Sequence, residues 1–549
     1  MPGSNSATSA CVDYDGRVTA FLLALLLAPP DPVWQQARAN AARHQQAAAA
    51  AQRLLHAWLK NADPQTLLLP DRINNAQRVY TPHNSGADLY PYLILTARLT
   101  DPALYHGRMM EMLRNEVRFT NAKAGVPGNY DLNTGTLGPP SLFGAGEYAK
   151  DGLITVTEYL GRTPWTERMI DMIAAAMDQA PVPSGFGPLP ASDSELNGDY
   201  LQVLPRLYLL TGDARFLVWA RRITDAYLEE VLPANHGLPS MNWDFQKHTG
   251  DTRLKLRDHG NEIIVGLVTQ FALEAQLGSP RASRMQPALA RMLDRVLESA
   301  NPHGMLYNTI DTATLKPADE GLSDNWGYLY GAVYTFYQIT GQAKYRDAVR
   351  HVLSNLPHYR NWCWEPSKNA LLNARKDGKL GSFDGYADSI ESALYLVNRE
   401  PAPEALDWID SEMQVMLSMQ RPDGHIEDWY GEGNFNRTAL LYALMKSQGV
   451  RAAPWRPGLA LGAVRDGRAL RLHLNAPARV EFDFARHRRV HNWQANIVRL
   501  NEFPEWFVVD ENTLYRLTPR AGGEALVRLG SELIAGIDLA AGDWTVQPQ

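Results

Sequence analysis

The sequence, 549 residues long, has only two cysteines, and its N-terminal apolar stretch is short. Cys11 and Cys363 are too few for a cysteine-based zinc cluster or a disulfide framework. The apolar run in VTAFLLALLLAPP (18–30) is too short to span a bilayer. It resembles the apolar region of an export signal, although acidic residues precede it. We therefore treat residues 1–31 as an N-terminal segment and expect a periplasmic or secreted protein, or otherwise a cytoplasmic one.

The sequence also lacks an excess of positive charge. With 53 lysines and arginines against 60 aspartates and glutamates, its formal net charge is −7. This balance gives no global attraction to nucleic acid or to an anionic membrane, so neither is an expected partner. An acidic ligand would have to be bound by local basic residues.

Motifs for nucleotide, metal and serine chemistry are missing as well. There is no G-x-S-x-G, Walker loop, H-E-x-x-H or EF-hand pattern. GAGEYA (144–149) matches a dinucleotide fingerprint but follows no strand, and DHGNE (258–262) has no second histidine at helical spacing. We therefore expect neither a cofactor nor a metal ion.

What the sequence does contain is a repeat of amphipathic helical hairpins over residues 32–452. Residues that end one helix, followed by a short polar turn and the start of the next helix, recur roughly 50–65 residues apart. Examples are LTGDARFLVWA (210–220) and ITGQAKYRDAV (339–349). In each hairpin a charged surface helix precedes a more apolar one, such as RDHGNEIIVGLVTQFAL (257–273). A helix that is apolar nearly all round is buried on both sides. Six or seven such hairpins predict a closed (α/α) toroid, a mainly α fold.

After Pro454 the periodicity changes from helical to alternating. ALRLHLNAPARVEFDFARH (469–487) and EWFVVDENTLYRLTP (505–519) alternate apolar and polar residues, which is typical of strands. We predict a small, sandwich-like antiparallel β domain over residues 456–549, following a toroid domain over residues 32–452.

Acidic and amide residues stand where the inner helices begin, and in a toroid these helix starts meet at one rim. A single aspartate or asparagine at such a place is usually a helix cap. Glu262, Asp388 and Glu391 lie within the apolar pattern, where a carboxylate is costly unless it is paired or faces a wet cavity. This favours a functional role for these three residues. The rim residues are Asp88, Asp151, Asp199, Asp258, Glu262, Asp324, Asn325, Asp384, Asp388, Glu391, Asn434, Asn436 and Arg437.

The loops that lead to the same rim add basic and aromatic residues. Aromatic rings stack on sugar faces, carboxylates transfer protons, and arginine or lysine binds the carboxylate of a uronic acid. The basic excess near residues 247–259 favours an acidic glycan as substrate; a solvated charged loop is the alternative. The candidate binding residues are Trp243, His248, Lys255, Arg257, His259, Asn261, Trp326, Tyr386, Trp429, Arg437, Asp88 and Asp151.

Repeated hairpins with acidic inner-helix ends, aromatic rim loops and a trailing β region resemble the six-hairpin glycosidase superfamily and its polysaccharide-lyase relatives. The resemblance covers about residues 32–549 and rests on architecture and rim chemistry, without a diagnostic motif. It implies a carbohydrate-active enzyme. The charges at the rim make uronate-specific members, such as β-glucuronidases and unsaturated glucuronyl hydrolases, the nearest match.

Hydrolysis of a glycoside uses a carboxylic acid together with a carboxylate. Asp258 and Glu262 are four residues apart, and on one helix they would share a face, so they are not expected to be that pair. One of them is expected to work with a carboxylate of another hairpin, preferably Asp324 or Asp388. The candidate catalytic residues are Glu262, Asp324, Asp388, Asp258 and Glu391, and the sugar carboxylate would be bound by Arg257, His259 and Lys255.

Two alternatives remain open. A polysaccharide lyase would neutralise the uronate and use a tyrosine as base and acid for β-elimination. A non-catalytic glycan-binding protein would use the rim acids only as helix caps. The abundance of rim acids favours hydrolysis, whereas the linkage, the mode of cleavage and the oligomeric state stay open. The lyase residues would be Asn261, Arg257 and His248 or His259, with Tyr386 or Tyr328 as base and acid.

Overall fold

The computed structural model describes residues 31–367 and 380–549. All but the last residue of the predicted N-terminal segment, and Cys11 within it, lie outside the described residues. In the described part of the chain, no helix is long and apolar enough to cross a membrane.

Seven outer helices form the surface wall of the described fold. Helix α10, for example, buries one side: its buried residues Met285, Leu289, Met292, Leu293 and Val296 share one helical face. The outer helices are α1 (Pro32–Asn61), α3 (Met110–Thr120), α6 (Pro164–Asp178), α8 (Ala214–Ala226), α10 (Pro280–Glu298), α12 (Ala343–Asn355) and α14 (Pro403–Ser418).

Seven inner helical segments of the described chain alternate with the outer helices and are buried almost completely. Every residue of the last one, α15, is buried. Two of the segments include π-helical stretches, Pro82–Leu89 before α2 and Tyr148–Leu153 between α4 and α5. The inner helices are α2 (Tyr90–Thr100), α4 (Leu142–Glu147) with α5 (Ile154–Leu160), α7 (Ser194–Thr211), α9 (Glu262–Gln276), α11 (Trp326–Thr340), α13 (Phe383–Val397) and α15 (Glu432–Ser447).

The inner helices form a closed ring. Each packs against the next in chain order, and α15 packs against α2, so the first and last hairpins are neighbours. The predicted (α/α) toroid is confirmed, with seven hairpins in the described residues. All inner helices run in the same direction, so their first turns converge on one end of the ring.

Small residues allow the inner helices to approach closely. A Cβ added at Gly198 of α7 would lie 2.3 Å from the backbone nitrogen of Ile263 in α9. Across the same contact, a Cβ at Gly266 would lie 3.1 Å from the carbonyl oxygen of Gly198. The two helices therefore touch backbone to backbone, just below the first residue of α9.

Short strands lie in the loops at the end of the ring where the inner helices begin. They form two three-stranded antiparallel sheets and one two-stranded hairpin. The strands are β1 (Val79–Tyr80), β2 (Gly128–Asp131) and β3 (Thr136–Pro140); β4 (Trp243–Asp244) and β5 (Thr249–Gly250); and β6 (Arg253–Lys255), β7 (Tyr307–Asp311) and β8 (Pro317–Leu322).

The C-terminal region contains a five-stranded antiparallel sheet in the order β10-β11-β16-β13-β14 and a three-stranded sheet in the order β15-β12-β9. The outer helix α1 lies on β10 so closely that a Cβ at Gly462 would meet the backbone nitrogen of Ala41 at 2.1 Å. The strands are β9 (Arg451–Ala452), β10 (Leu461–Asp466), β11 (Ala469–Leu474), β12 (Ala478–Glu481), β13 (Leu514–Pro519), β14 (Leu526–Leu529), β15 (Ile537–Leu539) and β16 (Gly542–Pro548).

One stretch of this C-terminal region, residues 496–505, enters the ring itself. We call it the central segment. Val498, Leu500 and Phe503 belong to the same hydrophobic core as the inner helices. Buried ion pairs fix the segment, including Arg499 with Glu158 of α5 at 3.1 Å. The toroid and the C-terminal region therefore share one core at this point.

The contact between α7 and α9 predicts that Gly198→Ala lowers the free energy of unfolding by about 1–3 kcal/mol, because the added methyl group overlaps backbone atoms of a rigid neighbour. Gly107→Ala is the matched control, since a Cβ at Gly107 meets nothing within 4 Å. Urea unfolding measures both. Equal stability of the two variants would contradict the close packing.

Candidate active site

A cavity of about 440 Å³ opens at the end of the ring where the inner helices begin. Each of the seven inner segments contributes at least one lining residue, because their first turns converge there. The lining residues are His83, Asn84, Asp88, Phe143, Glu147, Lys150, Asp151, Glu195, Arg257, Asp258, His259, Glu262, Tyr328, Glu365, Asp384, Asp388, Trp429, Tyr430, Asn434 and Arg437.

The cavity brings together many of the residues singled out from the sequence. Three of the five candidate catalytic residues line it, and so do six candidate binding residues. These nine are Asp258, Glu262 and Asp388, and Asp88, Asp151, Arg257, His259, Trp429 and Arg437.

Five other candidates are buried behind the cavity wall. Asp324 lies behind Arg257, and Glu391 pairs with Arg437. Asn261 donates to Asn325, whereas Trp326 donates from Nε1 to Ser389 at 3.2 Å. The fifth, Tyr386, is buried in α13 and does not line the cavity.

The structure does not bring Trp243, His248 and Lys255 to the cavity. Trp243 Nε1 donates to Glu230 at 2.7 Å, and His248 Nδ1 contacts the same carboxylate at 3.0 Å. Lys255 is exposed on β6. All three lie in the segment between α8 and α9: Trp243 begins β4, His248 lies in the turn between β4 and β5, and Lys255 ends β6.

Asp258 and Glu262 do not share a helix, contrary to the expectation from their spacing. Helix α9 begins at Glu262, so Glu262 occupies its first position and Asp258 lies outside the helix. Asp258 lies in the preceding turn, where His259 has a positive φ of 77°. The turn separates the two carboxylates, and both line the cavity.

Several lining residues were not among the candidates. Lys150 and Glu147 lie in the second inner segment, Glu195 lies in the first turn of α7, and Glu365 precedes α13. A lysine within the apolar stretch around residue 150 was the available signal, because a buried lysine needs a carboxylate partner. Glu195 and Glu365 offered no such signal, since both resemble ordinary surface acids in the sequence.

Lys150 is the centre of a buried charge cluster on the cavity floor. Its Nζ lies 3.0 Å from Asp151, 3.5 Å from Asp199, and 3.6 Å from both Glu147 and Glu262. Four carboxylates raise the pKa of Lys150 well above its usual value, although burial acts in the opposite direction. The ammonium group is therefore charged at neutral pH.

Arg437 of α15 is the second buried cation on the floor. Its Nη2 donates to Asp388 at 2.7 Å and also pairs with Glu391. The guanidinium lies 5.4 Å from the ring centre of Tyr92, within the range of a cation–π contact. Arg437 thus links the last, the sixth and the first inner helices.

A third cluster lies at the side of the cavity. Arg257 Nη2 lies 3.4 Å from Asp324, 3.5 Å from Glu365 and 3.8 Å from Asp258. The Arg257 side chain is 26% exposed, and that of Asp258 is 37% exposed. In contrast to the two floor cations, this pair is accessible from solvent.

His259 is half exposed beside the same turn and pairs with Glu195. Burial lowers the pKa of His259, but the Glu195 carboxylate outweighs this and raises it to about 9. His259 is therefore protonated at neutral pH.

Burial keeps several cavity acids protonated near neutral pH. It raises the pKa of Glu262 to about 8 and that of Asp388 to about 7, even though Lys150 and Arg437 oppose the shift. It also raises the pKa of Asp88 well above its usual value. Asp151 is the exception: Lys150 holds its pKa below the usual value despite burial. One cavity thus contains both proton donors and an ionised carboxylate.

Aromatic residues form part of the wall, and a buried glutamate fixes the loop that carries one of them. Trp429 and Tyr430 meet edge to face at 4.9 Å between ring centres. Glu432 Oε1 accepts backbone N–H groups of Ile426, Glu427 and Asp428, each at 2.7 Å. These bonds clamp the loop immediately before Trp429.

His425, Asp428 and Glu432 are the three metal-ligand-type residues in the described chain whose ligand atoms lie within 4.8 Å of one another. Glu432 Oε2 accepts from Trp58 Nε1 at 2.8 Å and contacts His425 Nδ1 at 2.9 Å. With its other oxygen bound by the loop, the carboxylate acts as a structural clamp.

No protein-family model matches the chain, and no curated protein matches it in sequence. Solved structures match parts of it. An unsaturated glucuronyl hydrolase from Bacillus sp. GL1 is 13% identical over 55% of this chain and 85% of its own, with a TM-score of 0.38. A sugar epimerase from a ruminal bacterium is 10% identical over 59% and 88%, with a TM-score of 0.41. A family 76 glycoside hydrolase (mannosidase) from Bacteroides thetaiotaomicron is 11% identical over 73% and 98%, with a TM-score of 0.40.

Unsaturated glucuronyl hydrolases are among the proteins that the sequence was expected to resemble. Similarity at these identities and TM-scores gives neither a reaction nor a substrate.

The Lys150 cluster predicts that Lys150→Met lowers the free energy of unfolding by about 3–5 kcal/mol, because it leaves buried carboxylates without their cation. The pKa values of these acids then rise further in the folded state. A group whose pKa is higher in the folded state than in the unfolded state stabilises the fold at low pH, and this stabilisation is lost as the pH increases. The loss should therefore be larger at mildly alkaline than at mildly acidic pH.

Urea unfolding at both pH values measures the effect. Lys247→Met is the control, since Lys247 is 77% exposed and pairs only with the nearby Asp244 in the described chain. A pH-independent loss in the Lys150 variant would contradict the assignment.

Proposed function

We propose that this protein is a glycoside hydrolase in which Asp388 is the general acid and Asp258 the general base. The observation that supports this most directly is the presence, in one cavity, of two acids from different hairpins, the buried Asp388 and the accessible Asp258. Acid–base hydrolysis of a glycoside needs two such groups.

Asp388 fits the role of proton donor. It lies in the second turn of α13, lines the cavity, and is 10% exposed. Burial raises its pKa to about 7, and the negative charge of the nearby Asp258 acts in the same direction. A pKa near the working pH is optimal for a group that gives a proton to the leaving oxygen.

Asp258 fits the role of base. Its Oδ1 accepts a hydrogen bond from the Asn325 amide, and Arg257 Nη2 lies 3.8 Å from its Oδ2, so the carboxyl is held at the side of the cavity. Its exposure allows water to reach it. The carboxylate would take a proton from that water while the water oxygen attacks the anomeric carbon, and Asp388 would protonate the oxygen that leaves.

For the substrate, we propose a glucuronide or a related uronic-acid glycoside, as in β-glucuronidases. Lys150 and Arg437 are almost fully buried, whereas Arg257 and His259 are the lining cations with exposed side chains. Both are positively charged at neutral pH, and a sugar carboxylate could compete with Glu365 and Glu195 for them. Trp429 and Tyr430 would contact the sugar ring.

The proposed acid predicts that Asp388→Asn lowers kcat on a glycoside with a poor leaving group by about 100-fold or more, since general acid catalysis is lost. Wild-type activity should fall as the pH rises above about 7, because Asp388 then loses its proton. Asp294→Asn is the control, as Asp294 pairs with Lys344 on the outer surface. A variant at Asp388 with normal kcat would contradict this role.

Product analysis separates hydrolysis from β-elimination and from binding without turnover. Release of nitrophenol from a 4-nitrophenyl glycoside supports hydrolysis. A new C=C ultraviolet absorbance from a polyuronate would replace the proposal with a lyase; of its two candidate tyrosines, Tyr328 lines the cavity and Tyr386 does not. Binding of a glycan without turnover would indicate a non-catalytic glycan-binding protein.

The proposed substrate class predicts that Arg257→Met raises KM for a 4-nitrophenyl β-glucuronide by about 10-fold or more, because a charged hydrogen bond to the sugar carboxylate is lost. KM for the corresponding β-glucoside, which has no carboxylate, should change little. Arg253→Met, on the exposed side of β6, is the control. An equal change in KM for both substrates would argue against uronate recognition.

A further inference from the structure

The central segment of the C-terminal region (residues 496–505) contacts inner helices around the ring. Thr335 of α11 bonds to both the backbone nitrogen and oxygen of Val498, each at 3.1 Å. Arg206 of α7 donates to the carbonyl of Leu500 at 3.3 Å. These contacts fix the backbone of the segment within the ring, below the cavity.

Asn501 extends from this segment to the cavity floor. Its Nδ2 donates to Asp151 Oδ1 at 2.7 Å, and its Oδ1 accepts from Arg437 Nη1 at 3.4 Å. Thr155 of α5 donates to its backbone carbonyl at 2.9 Å. Asn501 therefore bridges a carboxylate of the Lys150 cluster and the cation that pairs with Asp388.

The chemistry of the bridge requires an amide. One end must donate to a carboxylate and the other must accept from a guanidinium, and asparagine has both ends in one rigid plane. An aspartate at position 501 would repel Asp151, and an apolar residue would remove the hydrogen bonds to Asp151 Oδ1 and Arg437 Nη1. Asn501 is 1% exposed, so water cannot replace it easily.

We propose that Asn501 is a positioning residue for the general acid: by fixing Arg437, it makes the C-terminal central segment part of the active site. This inference rests on the proposed function, since it assigns a role relative to Asp388. While Asn501 separates Asp151 from Arg437, the guanidinium remains directed at Asp388. Without the bridge, Asp151 competes for Arg437, and Asp388 loses part of its stabilising partner.

Several charged or titratable groups face Asp388 from the elements packed around it. Arg437 is the nearest cation, and Arg257 attracts the Asp388 carboxylate more weakly. The acidic groups repel that carboxylate. The groups are Asp384 and Glu391 on its own helix, Arg437 on α15, Arg257 and Asp258 before α9, Asp324 and Tyr328 at α11, Glu365 before α13, and Asp88 before α2.

The backbone provides a matched pair of variants. Asn501 and Asn492 both have a φ of 56°, a left-handed conformation that glycine adopts without strain. Asn492 is exposed and donates from Nδ2 to the carbonyl of Leu209 at 3.0 Å. It does not line the cavity. Asn501→Gly and Asn492→Gly thus remove one amide each from the same kind of backbone.

The pH dependence of kcat for an alkyl glycoside, whose poor leaving group needs the general acid, tests the proposal. Asn501→Gly should lower kcat by about 10-fold and move the alkaline limb to higher pH, because Arg437 no longer holds the pKa of Asp388 down as strongly. Asn501→Asp should move the limb in the same direction, as its carboxylate attracts Arg437. Asn492→Gly should leave both kcat and the limb unchanged.

A loss of kcat in Asn501→Gly without a shift of the limb would overturn the proposal, because it would indicate a merely structural role. A second readout does not depend on turnover: the Asp388 carboxyl is titrated by ¹³C NMR in ligand-free protein labelled at aspartate, with Asp388→Asn for assignment. A higher pKa in Asn501→Gly supports positioning, and an unchanged pKa refutes it. If the wild type hydrolyses no glycoside, the proposed function fails, and this titration still decides whether Asn501 acts on Asp388.

Discussion

The neutralisation of buried carboxylates by Lys150 and Arg437 is the interaction on which the whole cavity depends. Closing seven helices into a ring brings the polar first turns of all of them into one small volume. Acids that would be solvated caps on separate helices then lie a few ångströms apart with little water. A cation on the second inner segment and another on the last one offset part of this repulsion. Each cation bridges helices that are distant in sequence, so ring closure and charge balance stabilise each other.

The neutralisation is incomplete, and the chemistry follows from that. Burial still raises the pKa of Glu262 to about 8 and of Asp388 to about 7. Asp258, at the side of the cavity, remains accessible beside Arg257. The wall of the ring therefore carries a buried acid with a raised pKa, and the side of the cavity carries an acid near solvent. The C-terminal region contributes from below, where Asn501 connects the two cation clusters.

The sequence predicted the toroid because hydrophobic periodicity is a local property that each inner helix displays over its full length. It also predicted that helix starts would converge, and this brought Asp88, Asp151, Glu262, Asp388 and Arg437 to one cavity. It could not predict which side chains turn towards the cavity. Trp243 and His248 bind Glu230 instead, and Asp258 precedes α9 because the turn at His259 delays the helix. The position of Asn501 could not be predicted, since no local sequence pattern indicates that a segment in a β region enters the ring.

The dependence of the Asp388→Asn rate on the leaving group tests the central claim most directly. A general acid assists departure of a poor leaving group and is not needed for a very acidic one. We expect a large loss of kcat on an alkyl glycoside and a small loss on the dinitrophenyl glycoside of the same sugar. An equal loss on both substrates would contradict the assignment of Asp388 as the proton donor.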